Sequence, residues 1–167
     1  MRASLSNHQY FNALHDVFSV DYHEVNQYLL ELYVRPKQFI DETGPPLDRF
    51  LREYTIPGLP RQNAVPTKAV LEFIGQIDEF SAQTSGLFDE HKAYVEECSQ
   101  FMERASILKL QAGEDDTEIM SDYTALAPEL IKVHQGLIKI KEKADFMAER
   151  LQQLQNRWSG IRDTLNS

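Results

Sequence analysis

The fold is decided by one stretch of sequence, residues 126–165, which reads LAPELIKVHQGLIKIKEKADFMAERLQQLQNRWSGIRDTL. Its apolar residues follow one another at alternating steps of four and three, which is the heptad pattern of a coiled-coil helix. They are Leu126, Leu130, Val133, Leu137, Ile140, Ala144, Met147, Leu151, Leu154, Trp158, Ile161 and Leu165. One helix cannot bury so narrow a stripe by itself. The pattern therefore predicts a long helix that packs against at least one other helix.

A matching heptad pattern lies upstream in the chain. Its members are Val70, Phe73, Ile77, Phe80, Thr84, Leu87, His91, Tyr94, Cys98, Phe101, Ala105 and Leu108. Each pattern spans about forty residues, so each predicted helix is roughly 60 Å long at a rise of about 1.5 Å per residue. We expect an all-α fold in which residues 67–167 form a long antiparallel helical hairpin, elongated and coiled-coil-like.

The N-terminal third carries amphipathic segments that prolines interrupt. Because proline removes a backbone donor and crowds the preceding turn, residues 1–54 are predicted to form short helices. Residues 55–66 contain three prolines and a glycine and predict a proline-rich connector. The first long helix is expected to begin at about Thr67. The second is expected to begin at Pro128, after an acidic turn region at residues 111–117.

The first long helix has a wider apolar arc than the second. Four apolar residues share its e position, beside the seam: Ile74, Phe88, Val95 and Met102. We expect them to bind a protein partner or to dock the N-terminal helices. The second helix adds only Ile131 and Ile138 outside its seam. Trp158, the only tryptophan, either anchors a partner or fills the end of the hairpin.

Two polar residues, Thr84 and His91, occupy a positions of the first seam. A polar residue there can fix register or partner choice at a cost in stability. The alternative is that each is satisfied by a backbone carbonyl or water. Cys98, also at an a position, is most simply a small buried hydrophobe.

Composition bounds the class of function. A formal net charge of -9 argues against nucleic acid as the main partner. A single cysteine agrees with a reducing compartment, and we expect no signal peptide or membrane insertion and a cytoplasmic, cytoskeletal location. Residues 67–125 carry 4 Lys/Arg against 13 Asp/Glu, and residues 126–167 carry 7 against 5. These charges either favour pairing of the two long helices or are simply solvated faces.

No motif for catalysis is recognisable in the sequence. A phosphate-binding glycine loop, paired His/Cys metal spacing and a nucleophile elbow are all missing. We therefore expect a protein that is not an enzyme and that has no cofactor and no metal. The opposing hypothesis is an enzyme whose site is assembled from distant residues.

Several short motifs together resemble a known family. They are Pro128-Glu129, Val133-His134-Gln135, the closing segment from Leu151 to Trp158, and the leucine- and tyrosine-bearing segment from Leu47 to Tyr54. The order of these motifs, with a proline-containing joint and a final tryptophan followed by Ile161, is similar to the family of the smallest shoulder subunit of dynactin, dynactin subunit 3. The resemblance covers most of residues 45–165.

This resemblance implies a non-catalytic subunit bundled with dynamitin in the dynactin shoulder, which supports dynein on microtubules. The segment from Glu149 to Trp158 is also similar to the final helix of a spectrin repeat. A spectrin-like cytoskeletal scaffold and an unrelated coiled-coil adaptor are therefore the alternatives.

Overall fold

The computed structural model of the chain describes residues 7–55, 64–111 and 117–166. Within these ranges it consists of three α-helices: α1, Asn7–Thr55; α2, Ala64–Gln111; and α3, Thr117–Asn166. The all-α prediction is confirmed.

The chain divides into two compact units. Unit 1 comprises Met1–Tyr28 and Asp89–Glu142, and unit 2 comprises Leu29–Phe88 and Lys143–Ser167. Each helix therefore contributes one segment to each unit. The domain boundaries predicted from sequence, at residues 54 and 66, both fall within unit 2. Most of the predicted connector, residues 56–63, lies outside the described residues.

Residues 7–55 form one helix where the sequence analysis predicted several short ones. Pro36, Pro45 and Pro46 all lie inside α1. The reason is a third apolar seam that continues across the prolines at steps of three and four. Its buried members are Phe18, Val25, Leu29, Leu32, Pro36, Phe39, Thr43 and Leu47. Packing of this seam outweighs the local cost of the prolines, because tertiary packing supplies most helix stability in proteins.

The starts of the two other helices also differ from the prediction. Helix α2 begins at Ala64 and not at Thr67, and α3 begins at Thr117, well before Pro128, which lies inside it. Residues 112–116 of the predicted acidic turn are outside the described part of the chain. For α3 the cause is that Pro128 was taken as the start of the helix, although a helix with enough packing contacts tolerates proline in its interior.

Unit 2 is packed around aromatic and aliphatic seam residues. The Phe73 and Trp158 rings stack with centroids 5.9 Å apart, and Thr84 Oγ1 lies 3.8 Å from the Met147 sulfur. Numbering rises along α2 as it falls along α3 between these contacts, so the two segments are antiparallel within unit 2. On α3, the seam residues from Ala144 to Ile161 are also buried.

Unit 1 has the same antiparallel arrangement of its α2 and α3 segments. The Tyr94 hydroxyl donates to the Val133 carbonyl oxygen at 2.6 Å, and Arg104 pairs with Glu129. Gly136 lies beside the Tyr94 ring, where a Cβ atom would be only 3.1 Å from a ring carbon. The glycine therefore makes room for the tyrosine that joins the two helices.

The seam predicted for α3 is buried from Leu126 to Ile161, and Leu165 is half-buried. The seam predicted for α2 is buried from Val70 to Ala105, apart from Thr84 and Tyr94, which are half-buried. Heptad spacing thus identified the core residues of both helices wherever their side chains are described.

Candidate interaction surface

The four e-position residues predicted to bind a partner are divided between the units. Ile74 and Phe88 lie in unit 2, and Val95 and Met102 lie in unit 1. All but Phe88 are half-buried, and Phe88 is 49% exposed. Its ring meets the ring of Tyr33 on α1 edge to face, with centroids 4.8 Å apart. At Phe88 this face of α2 therefore packs against α1.

Trp158, the fifth predicted partner residue, lies inside unit 2. It is only 6% exposed and stacks on Phe73. The Arg157 guanidinium lies 6.0 Å from the centre of the same Phe73 ring and donates to the Gln76 side chain. Trp158 is thus a core residue of this unit.

The two polar seam residues are satisfied in different ways. Thr84 donates to the Phe80 carbonyl oxygen of its own helix at 2.9 Å. His91 is buried, and its Nε2 donates to the side-chain oxygen of Asn26 on α1 at 2.8 Å. Burial lowers the pKa of His91 from its ordinary value of 6.5. Histidine at this position therefore joins α1 to α2 as a neutral ring.

In unit 1 the half-buried Tyr94 forms a side-chain hydrogen bond with the buried Cys98. Burial is the main cause that raises the pKa of both groups, and it raises the pKa of the Cys98 thiol to about 11. A thiol with so high a pKa is almost wholly protonated at neutral pH and is a poor nucleophile. This pair is structural in character.

An open groove lies between α1 and α3 in unit 1, and we call it the α1/α3 groove. It has a volume of about 470 Å³. Its lining residues are Asp21, Glu24, Val25 and Tyr28 on α1 and His134, Leu137, Ile138 and Lys141 on α3. Val25 and Leu137 are buried and form the floor, while Ile138 remains 48% exposed on one wall.

A hydrogen-bonded pair crosses the α1/α3 groove. His134 Nε2 donates to the Asp21 carboxylate at 2.8 Å, and the His134 ring meets Phe18 edge to face with centroids 5.9 Å apart. These contacts fix the side chain of His134 between a charged and an aromatic neighbour. The pair holds the α1 and α3 segments at a defined spacing in unit 1.

A second open groove lies between α2 and α3 in unit 2, and we call it the α2/α3 groove. It has a volume of about 320 Å³, and its lining residues are Glu79, Gln83, Phe146, Glu149, Arg150 and Gln153. Phe146 is largely exposed within this polar surround. An exposed aromatic ring of this kind is common at protein interfaces.

In the ion pairs between α2 and α3, the basic residue comes from α3 in one case and from α2 in another. Arg157 of α3 lies 3.8 Å from Glu72 of α2, but Arg104 of α2 pairs with Glu129 of α3. The partners are largely exposed, so each pair contributes only about 0–1 kcal/mol. The charge split between the long helices therefore adds little to their pairing.

The α1/α3 groove was not predicted from the sequence. Ile131 and Ile138 were recognised as apolar residues seven positions apart outside the seam of α3, but no binding role was assigned to them. Asp21 and Tyr28 could not be assigned to the same groove, since nothing local indicates which face of α1 meets α3. Phe146 was missed because it is a single apolar residue with no periodic companion.

Among the described residues, no cluster of three or more histidine, cysteine or carboxylate side chains is arranged to hold a metal ion. The described helices also lack any segment with the length and apolar character that a membrane crossing requires. No protein-family model, no curated protein and no solved structure matches this chain.

Proposed function

We propose that this chain is a non-catalytic structural subunit of a cytoskeletal motor assembly, similar to the dynactin shoulder. It supports dynein-driven microtubule transport through helical-bundle contacts in the cytoplasm, with dynamitin and other dynactin subunits among its partners. The observation that carries the proposal is the open α1/α3 groove, with a buried apolar floor and the half-exposed Ile138 on its wall.

Interhelical grooves of this kind suit contacts with other proteins. A groove between two helices accepts a further helix in the same way that helices pack within a bundle. Burying an exposed isoleucine or phenylalanine side chain contributes about 1.5–3 kcal/mol. Ile138 and Phe146 therefore supply useful binding energy once another protein covers them.

We also propose that α2 and α3 together form one long antiparallel hairpin. It is supported by the antiparallel contacts of these helices within each unit, such as Tyr94 with Val133 and Thr84 with Met147. The motifs around Pro128 and from Leu151 to Trp158 support the same family resemblance.

A spectrin-like cytoskeletal scaffold is the second candidate. It is favoured by the composition of each unit, which contains one segment from each of three helices, as a spectrin repeat contains three helices. Here, however, the same three helices supply both units. In a spectrin-like array, each repeat would have three helical segments of its own.

Affinity purification of the full chain, followed by identification of its stoichiometric partners, tests the proposal. We expect dynamitin and other dynactin components in fixed ratio to the chain. Recovery of actin-linked membrane-skeleton proteins in their place would favour the spectrin-like candidate. If neither dynactin components nor membrane-skeleton proteins are recovered, both candidate functions are refuted. A tagged chain carrying Phe73→Asp, which disrupts the core of unit 2, is the control for partners that bind any helical protein.

A further inference from the structure

The α1/α3 groove has walls that extend beyond the residues that line its cavity. Val17 lies one helical turn before Asp21 on α1 and is 57% exposed, and Ile131 lies two turns before Ile138 on α3. Together they lengthen the two walls to about three turns, or roughly 15 Å. Val17, Ile131 and Ile138 are thus three exposed aliphatic side chains along the lines of the two walls, on either side of the Asp21–His134 pair.

The shape of this groove fits a helix. Its walls are two helical segments, and its floor is the seam residues Val25 and Leu137. A helix that lies in such a groove presents apolar residues at spacings of three, four and seven, which match the seven-residue spacing of Ile131 and Ile138. Its apolar stripe would cover the three exposed aliphatic side chains at once.

The charges of the groove and of the whole chain indicate that the bound helix is basic. The α1 wall carries Asp21 and Glu24, whereas the α3 wall carries Lys141. A bound helix is therefore complementary when it has Lys or Arg on the flank that faces α1. The chain has a net charge of -9, so a second copy is repelled, while a basic protein is attracted.

We infer that the α1/α3 groove of unit 1 binds an amphipathic helix of a different, basic protein, with its Lys/Arg flank against Asp21 and Glu24. This inference rests on the proposed function, because it takes the chain to act by holding other helices. It adds the location of the contact and the chemistry of the partner segment.

Photo-crosslinking of the full chain in cells tests the inference directly. A benzoylphenylalanine is placed at position 138 and, in a separate chain, at position 107. Ile107 is a matched control because it is 47% exposed, close to the 48% of Ile138, but lies on α2, whereas the groove is lined by α1 and α3. We expect adducts from position 138 at about tenfold higher yield, on a segment of another protein with apolar residues at spacings of three and four and a Lys/Arg flank.

Three results would overturn the inference: an adduct with a second copy of this chain, an adduct with an acidic or non-helical segment, or equal yields from the two positions. The result is independent of the partner's identity. If purification recovers no dynactin component but position 138 captures a basic helix, the proposed function fails and the inference stands. If dynactin components are recovered and position 138 captures no basic helix, the inference alone fails.

A pair of glutamate variants provides a second measurement. Val17→Glu places a charge on the wall of the groove, and Ile107→Glu places the same charge at an exposed apolar position of α2, outside the groove lining. We expect Val17→Glu to weaken binding of the crosslinked partner by about tenfold or more, since an apolar contact is replaced by a desolvated carboxylate. Ile107→Glu should leave binding unchanged. Equal effects of the two variants, at equal helix content by circular dichroism, would contradict the groove as the binding site.

Discussion

His91 shows how one buried residue couples the stability of unit 1 to pH. Burial lowers its pKa below 6.5, so the folded chain disfavours the charged imidazolium. As the pH falls through 6.5, the unfolded chain binds a proton that the folded chain does not. The contribution of His91 to stability is therefore fully present above this pH and is lost progressively as the pH falls towards the folded pKa.

We predict that His91→Gln reduces the pH dependence of unfolding. Glutamine retains an amide donor for Asn26 but has no proton to gain. The free energy of unfolding of the wild-type chain should fall more steeply between about pH 7 and about pH 5 than that of the variant, by at most about 1.4 kcal/mol per pH unit. Urea unfolding at several pH values measures this difference. Parallel curves for the two proteins would contradict the assignment.

Trp158 illustrates a buried side chain that is well packed but incompletely bonded. Its ring stacks on Phe73, yet its indole N–H is buried without a hydrogen-bond acceptor among the described residues. An unsatisfied buried donor costs about 1–3 kcal/mol. Replacing the indole ring of Trp158 with a phenyl ring removes the unsatisfied N–H donor and also removes part of the packing against Phe73.

We predict that Trp158→Phe destabilises the chain by about 1 kcal/mol or less, because loss of the unsatisfied donor offsets the lost volume. Trp158→Ala should cost about 3–5 kcal/mol, since it removes the ring and leaves a cavity beside Phe73. Urea unfolding of both variants measures the two values. The idea fails if phenylalanine costs as much as alanine.

Helix α1 continues through three prolines, although proline was expected to end a helix at each of these places. The spacing of Val25, Leu29, Leu32 and Phe39 was visible in the sequence, but the prolines suggested that the helix ended between them. Proline's cost is local, whereas the energy that offsets it comes from contacts with residues far along the chain. Tyr33, for example, donates to the Leu87 carbonyl oxygen of α2 at 3.4 Å. Such contacts cannot be derived from a short window of sequence.

The same limit explains how much of the groove could be predicted. Periodicity identified Ile131 and Ile138 as apolar residues outside the α3 seam, because that information lies within one helix. Assigning Asp21 to the opposite wall required the register between α1 and α3, which depends on pairs such as Asp21 with His134. Residues of one helix were therefore predictable, and the surface formed by two helices was not.

Pro45 provides a test of the energetic cost within α1. It is exposed and lies inside the helix, where it leaves the Asp41 carbonyl without its usual donor. We predict that Pro45→Ala raises the free energy of unfolding by up to about 3 kcal/mol, less about 0.4–1 kcal/mol for the greater freedom of the unfolded chain. Thermal unfolding followed by circular dichroism measures the gain.

The control for this prediction is Pro66→Ala. Pro66 is in the first turn of α2, which begins at Ala64. Backbone N–H groups there have no acceptor within the helix, so a proline costs little. This substitution should be neutral or slightly destabilising. Equal stabilisation by both substitutions would show that the gain at Pro45 has another origin than the missing hydrogen bond.

For the whole molecule, the division into units makes a distinct prediction about truncation. A chain ending at Glu142 retains every segment of unit 1 but loses the α3 segment of unit 2, residues 143–167. The core residue Phe73 would then lose Trp158, whose ring stacks on it, and the buried α2 residues of unit 2 would lose the α3 seam. Each large apolar side chain returned to water costs about 1.5–3 kcal/mol, so unit 2 should no longer be stable.

We predict that this truncation lowers amide hydrogen-exchange protection in residues 29–55 and 64–88 by at least about a hundredfold, while residues 89–111 and 117–142 keep theirs. The reciprocal truncation, removal of residues 1–28, takes the α1 segment from unit 1 alone, and it should reverse the pattern. Hydrogen exchange read by mass spectrometry of peptides distinguishes the two outcomes. If both truncations lower protection equally in both sets of residues, the three helices fold as one cooperative body, because helical continuity through α1, α2 and α3 then outweighs the separate cores.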